Sequence, residues 1–101
     1  MKVMAIGTLK PLSPEQRQQA LVLHRSLMRV QHAADQGERD ATKLRQIGEQ
    51  VIAEEPGARL DYFAIVNPDT LDSMTDTSKG ALVAVAVYVG TTRLIDNILL
   101  T

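Results

Sequence analysis

ALVAVAVYVGTTRLIDNILL, residues 81–100, holds two apolar stretches on either side of a glycine. The first, Ala81 to Val89, has no polar face, which is typical of a central strand covered on both sides, although periodicity alone also allows a buried helical segment. Gly90-Thr91 predicts a turn, and residues 93–100 predict a final strand. This stretch therefore indicates two neighbouring strands of a small antiparallel sheet.

The final strand carries polar residues where a buried strand is normally apolar. Because side chains alternate along a strand, Arg93 and Asn97 share one face and Asp96 lies on the other. Each face therefore carries polar groups that need partners. Either these side chains tie the sheet to neighbouring loops or helices, or some of them face a partner domain or its ligand.

Two helices are predicted upstream of this hairpin. Ser13-Pro14-Glu15-Gln16 is a capping-box signature with proline at the first helical position, so a helix should start at about Pro14, and Gly37 is its expected stop. Asp40 is the expected N-cap of a second helix, which Pro56-Gly57 ends. The short loop between them favours an antiparallel helical hairpin. The apolar positions at helical spacing are Ala20, Leu21, Leu23, Leu27, Met28, Val30 and Ala34, then Ala41, Leu44, Ile47, Val51 and Ile52.

Between the second helix and the apolar hairpin, the pattern changes from helical to extended. Leu60 to Val66 is rich in β-branched and aromatic residues and predicts a strand. Residues 69–80 are polar and turn-rich, with Leu71 and Met74 as the expected apolar anchors. The order α-α-β-β-β predicts an α+β fold, in which a helical hairpin packs on a small three-stranded antiparallel sheet.

Composition excludes several classes of function. The 101 residues suffice for one domain, and the absence of cysteine excludes disulfides, thiol catalysis and zinc–thiolate sites. Net charge is −1 with scattered basic residues, which does not fit a nucleic-acid-binding protein. The longest apolar run is too short to span a bilayer. We therefore expect a cytoplasmic domain that binds neither nucleic acid nor membrane.

The residues able to carry chemistry form no convincing motif. His24 and His32 lie eight positions apart, whereas a metal site would need closer spacing or added carboxylates. Thr77-Ser78-Lys79-Gly80 has the wrong residue order for a phosphate-binding loop. We expect no metal site and no catalytic residue. The acidic residues interpreted as helix-end and turn residues are Glu54, Glu55, Asp69, Asp72 and Asp76.

Three stretches together resemble the pantoate–β-alanine ligase family. They are LSPEQRQQA (Leu12 to Ala20), LDYFAIVNPDTLD (Leu60 to Asp72) and VGTTRLIDN (Val89 to Asn97), and they keep the family's order and approximate spacing. The combination is fairly specific, whereas any one stretch alone would be weak. The resemblance implies that residues 12–101 form the C-terminal domain, which closes like a lid over the nucleotide.

The same resemblance implies a division of labour between two domains. The family joins pantoate to β-alanine: ATP, with Mg, first activates the pantoate carboxylate as an adenylate, and the β-alanine amine then displaces AMP. An N-terminal Rossmann-like domain with an HxGH-type motif carries most catalytic groups, and this sequence has no such motif. We therefore expect an N-terminal catalytic domain as partner, no tight binding of ATP or Mg by this chain, and no activity of the chain alone.

Residues 1–11 depart from the family pattern. In the family, a Met-Ser-Ser-Arg-Asn-type loop faces the ATP phosphates, and the resemblance places at its positions, in order, Ala5, Ile6, Gly7, Thr8 and Leu9. Gly7 and Thr8 are the positions at which a degenerate phosphate contact is expected, through one remaining hydroxyl. Arginine's charge-assisted contact to phosphate is lost. Residues 1–11 are thus either a lead-in that is not native to the domain or a diverged loop.

A second hypothesis is a non-catalytic interaction or oligomerisation module that reuses the lid fold. The apolar segment Val3 to Leu9 could pair with a sheet edge of its own or of another chain. This hypothesis predicts a concentration-dependent homo-oligomer.

Overall fold

The computed structural model describes residues 13–100. Helices Pro14–Asp35 (α1) and Ala41–Ala53 (α2) precede strands Ala58–Val66 (β1), Ala81–Val89 (β2) and Thr92–Leu100 (β3). The strands form one antiparallel sheet in the order β1-β2-β3. The predicted fold, a helical hairpin on a three-stranded antiparallel sheet, is confirmed, and β2 is its central strand and not a helical segment. No helix in the described residues is long and apolar enough to cross a membrane.

The helix boundaries follow from the predicted caps. Ser13 Oγ accepts a hydrogen bond from the backbone amide of Gln16 at 3.1 Å. The backbone amide of Ser13 donates in return to Gln16 Oε1 at 3.2 Å, which completes the capping box. Asp40 Oδ1 accepts from the Thr42 amide at 2.8 Å at the start of α2. Gly37, with φ of +106°, follows the end of α1 and allows the chain to reverse.

Both helices pack on the same face of the sheet. The largest fully buried side chains in this core are Leu23, Leu27, Leu44, Ile52, Leu94, Ile98, Val22, Val30, Val83, Val85, Val87 and Val89. Gly48 lies in α2 directly over the ring of Phe63 in β1, where a larger residue would overlap the ring. The glycine therefore lets the helix approach the strand closely, a role that sequence analysis did not detect.

Two apolar residues that the sequence predicted to be buried are exposed. Leu21 is 55% exposed, because the buried stripe of α1 widens on its other flank, through Val22 and Ser26. These two residues are four positions apart and so share one side of the helix. Leu71 is 63% exposed and has φ of +63°, so it turns the chain and does not anchor the loop. Met74 does pack against the core, as predicted.

The expected cover on both faces of β2 is wrong for residues 13–100, because α1 and α2 lie on one face only. On the opposite face, which we call the open face, small and apolar side chains dominate and are mostly half-buried. The side chains of the open face are Arg59, Tyr62, Ala64 and Val66 from β1, Leu82, Ala84, Ala86 and Tyr88 from β2, and Arg93, Ile95, Asn97 and Leu99 from β3.

Candidate functional site

The two predicted nucleotide-facing positions, Gly7 and Thr8, lie outside the described residues, and their role stays a prediction. The described element that is nearest to them in sequence is the first turn of α1. It lies against the β2–β3 turn, because a Cβ added to Gly90 would be 2.8 Å from Gln16 Nε2. The chain therefore enters the described domain beside this turn.

A group of charged and aromatic side chains covers the open face at this same end. We call Arg59, Asp61, Tyr62, Tyr88 and Arg93 the Tyr–Arg cluster. The Arg93 guanidinium holds Asp61 Oδ2 through Nη2 at 2.8 Å and Nε at 2.9 Å. It also lies 5.7 Å from the centre of the Tyr62 ring, and the Arg59 guanidinium lies 5.1 Å from the centre of the Tyr88 ring.

Strand register assembles this cluster. Tyr88 and Arg93 are directly opposite each other across the β2–β3 turn, and Arg59 is opposite Tyr88 on the other side. The register between β1 and β2 shifts between Leu60 and Tyr62, as in a β-bulge, and Asp61 lies at this irregularity. The hydrogen bond from Arg93 to Asp61 raises the already high pKa of the guanidinium, so Arg93 stays positively charged.

Asp96 lies on the core face of β3 and is 1% exposed. Its Oδ1 accepts a hydrogen bond from the backbone amide of Asn97 at 2.8 Å, whereas Oδ2 has no hydrogen-bond partner among residues 13–100. Burial raises the pKa of this carboxyl, against the lowering effects of the Asn97 amide and of His24. The polar residues of the last strand thus divide as expected, with Arg93 and Asn97 on the open face and Asp96 in the core.

The histidines and the loop carboxylates are dispersed over the surface. His24 and His32 are both exposed along α1, beside Arg25 and Arg29. No group of three or more histidines and carboxylates able to hold a metal ion occurs in residues 13–100. The turn interpretation fits Asp76, whose Oδ1 accepts from the Ser78 amide at 2.7 Å and from the Ser78 hydroxyl, and these hydrogen bonds lower the pKa of the carboxyl.

The sequence indicated Arg93 as a polar residue in need of a partner, but it did not indicate which residues surround it. The opposition of Tyr88 and Arg93 could have been found, because a turn at Gly90-Thr91 fixes which residues face each other. The contact with Asp61 spans 32 residues and depends on the shift in register, for which the sequence gives no local signal. Chemically, the described residues offer a recognition surface of rings and guanidinium groups.

Comparison with known proteins assigns the chain to a family. The family model described as Pantoate-beta-alanine ligase matches residues 9–99. The pantothenate synthetase of Koribacter versatilis is 64% identical over 89 residues, which are 88% of this chain and 31% of that protein. That of Acidobacterium capsulatum is 53% identical over 91 residues, covering 88% of this chain and 30% of that protein.

Solved structures give the same result. The crystal structure of pantothenate synthetase from Thermus thermophilus superposes with a TM-score of 0.80 at 40% sequence identity, covering 86% of this chain and 31% of that one. The chain therefore spans about a third of the length of the relatives that it matches. It belongs to the pantoate–β-alanine ligase family and corresponds to one domain of those longer proteins.

Proposed function

We propose that this chain is the C-terminal lid domain of an ATP-dependent pantoate–β-alanine ligase, and that it is inactive without the N-terminal Rossmann-like domain. The observation that carries the proposal is the combination of a family match over residues 9–99 with coverage of only 31% of the relatives. The proposed location is the cytoplasm, where the substrates of pantothenate synthesis would meet the complete enzyme.

In the proposed reaction, ATP activates the pantoate carboxylate as an adenylate with release of pyrophosphate, and the β-alanine amine displaces AMP. Mg and ATP belong to the complete enzyme in this proposal. Residues 13–100 contain no group of three or more histidines and carboxylates that could hold a metal ion by itself. The part that we propose for the lid is to cover the site.

A chimaera tests the proposal. The N-terminal part of the Koribacter versatilis pantothenate synthetase is joined to residues 9–99 of this chain, which replace the matching part of that protein. We expect pantothenate formation from pantoate, β-alanine and Mg-ATP at a rate within about tenfold of that of the intact relative. This range corresponds to a change of about 1.4 kcal/mol in the activation barrier. The N-terminal part alone is the control. A folded chimaera no more active than that control would contradict the proposal.

A further inference from the structure

We propose that a cleft between α1 and α2 binds a small anion with two linked phosphate groups, of which inorganic pyrophosphate is the simplest. The cleft has a volume of about 340 Å³, and four basic side chains of α1 line it: His24, Arg25, Arg29 and His32. We call it the basic cleft. The proposal goes beyond the ligase function and does not depend on it, because it uses only side chains at the surface of these two helices.

Helical spacing brings the basic residues together on one side of α1. Arg25 and Arg29 are four positions apart, which is one turn of the helix and about 6 Å along its axis. His32 follows Arg29 by three positions and so extends the same side. Between Glu15 and Asp35, at the two ends of the helix, α1 has no acidic residue. The basic residues that are scattered in the sequence therefore form one local patch of positive charge.

This arrangement of charge is unfavourable for the helix itself, because like charges four positions apart repel each other. Neither Arg25 nor Arg29 has a carboxylate within ion-pair distance in residues 13–100, whereas Arg45 on α2 is paired with Glu49 at 3.2 Å. The favourable effect of the helix dipole on positive charge is confined to the last turn, which contains His32 but not Arg25. An anion held between the two guanidinium groups would remove their repulsion.

The chemistry of the basic cleft fits phosphate groups. A guanidinium group presents a planar fork of N–H donors that can hold one phosphate group through two hydrogen bonds. Two such forks one helical turn apart suit two linked phosphate groups, and the imidazoles add further N–H donors. The half-buried Met28 and the buried Val51 form an apolar wall, which strengthens the attraction between opposite charges. Among the described lining residues, Glu54 is the one carboxylate, and it opposes the binding of an anion.

Titration of the isotope-labelled 101-residue chain with pyrophosphate, followed by NMR without Mg and at constant ionic strength, tests the proposal. We expect saturable shifts of the backbone amides of residues 24–32 and 51–54 and of the Nε–H groups of Arg25 and Arg29. Inorganic phosphate and sulfate are the matched controls, and each should bind roughly tenfold more weakly or worse, because a single tetrahedral anion engages one fork well and not two. Equal affinity for the three anions would reveal general screening of charge and overturn the proposal. Shifts confined to residues 5–13 would overturn it too, in favour of the predicted contact at Gly7 and Thr8.

Single substitutions identify the groups that hold the anion. Arg25→Gln and Arg29→Gln should each raise the dissociation constant for pyrophosphate by about tenfold. Arg25→Lys, which keeps the charge and loses the fork, should have an intermediate effect. Arg45→Gln on α2 is the matched control and should change the dissociation constant by less than about twofold, because its guanidinium is remote from the cleft lining. Glu54→Gln should act in the opposite direction and tighten binding by about threefold, since it removes a negative charge from the cleft.

The side chains exchanged in these variants are all exposed, so circular dichroism should show the same helix content in each protein as in the wild type. Unchanged affinity for pyrophosphate in both Arg25→Gln and Arg29→Gln would overturn the proposal, and so would weaker binding by Glu54→Gln. None of these measurements depends on pantothenate formation, so failure of the binding site would leave the proposed ligase function untouched.

Discussion

Replacing Gly48 by alanine tests how α2 is held on the sheet. A methyl group at this position would lie 2.5 Å from Cε2 and 2.8 Å from Cε1 of Phe63, and closer still to Cζ. Comfortable carbon–carbon contacts are about 3.5–4.0 Å. The ring is 6% exposed and packed in the core, so it cannot move aside without shifting its neighbours.

Two effects of opposite sign decide the outcome. Alanine is favoured over glycine inside a helix by about 1 kcal/mol. Overpacking a core costs about 1–3 kcal/mol and sometimes more. Because the methyl group overlaps three ring atoms, we expect the steric cost to lie at the upper end, which leaves Gly48→Ala less stable by about 1–2 kcal/mol.

Urea unfolding of the 101-residue chain, followed by circular dichroism, measures this change. Gln46→Ala on the exposed side of α2 is the control, and it should alter stability by no more than about 0.5 kcal/mol. In a Phe63→Leu background the ring atoms are gone, so Gly48→Ala should lose most of its cost. A gain in stability of about 1 kcal/mol for Gly48→Ala in the wild-type background would show helix propensity alone at work and refute the proposed close contact.

Two further substitutions test single features of the fold. Burial raises the pKa of Asp96 above its ordinary value of 3.8, so the folded state keeps this proton to a higher pH than the unfolded chain does, and stability falls as pH rises through that window. Asp96→Asn should remove this fall in stability, so the stability of the variant relative to wild type should improve as pH rises from below 3.8 to neutrality. A difference in unfolding free energy between the two proteins that stays constant with pH, measured by urea unfolding, would contradict the assignment. Leu71→Asn should stabilise the chain by about 0.5–1 kcal/mol in thermal unfolding, because asparagine tolerates positive φ better than leucine does and no buried contact is lost. Unchanged or lower stability would show that Leu71 makes an apolar contact after all.

Local chemistry in the sequence was enough to predict the elements. The capping box at Ser13, the Asp40 cap and the turn at Gly90 act within a few residues, so each boundary is encoded where it occurs. The apolar composition of Ala81–Val89 correctly indicated the central strand. The same composition wrongly predicted that residues 13–100 cover β2 on both faces. An all-apolar strand does not require a second layer from the same chain, because a face that other parts of a protein cover has the same composition.

The features that the sequence did not reveal depend on contacts between distant segments. The side of α1 to which the buried stripe extends is set by its packing partners, which is why Val22 is buried and Leu21 is not. The approach of Gly48 to Phe63 and the ion pair between Arg93 and Asp61 join residues that are far apart in sequence. The predicted phosphate-facing role of Gly7 and Thr8 stays a prediction.

We expect this domain to fold on its own and to depend on the rest of the ligase for its chemistry. The test is an assay of pantothenate formation by the purified 101-residue chain, with pantoate, β-alanine and Mg-ATP, on a sample shown to unfold cooperatively in urea. We expect no product above that of the enzyme-free reaction. Pantothenate formation that scales with the concentration of this chain would contradict it.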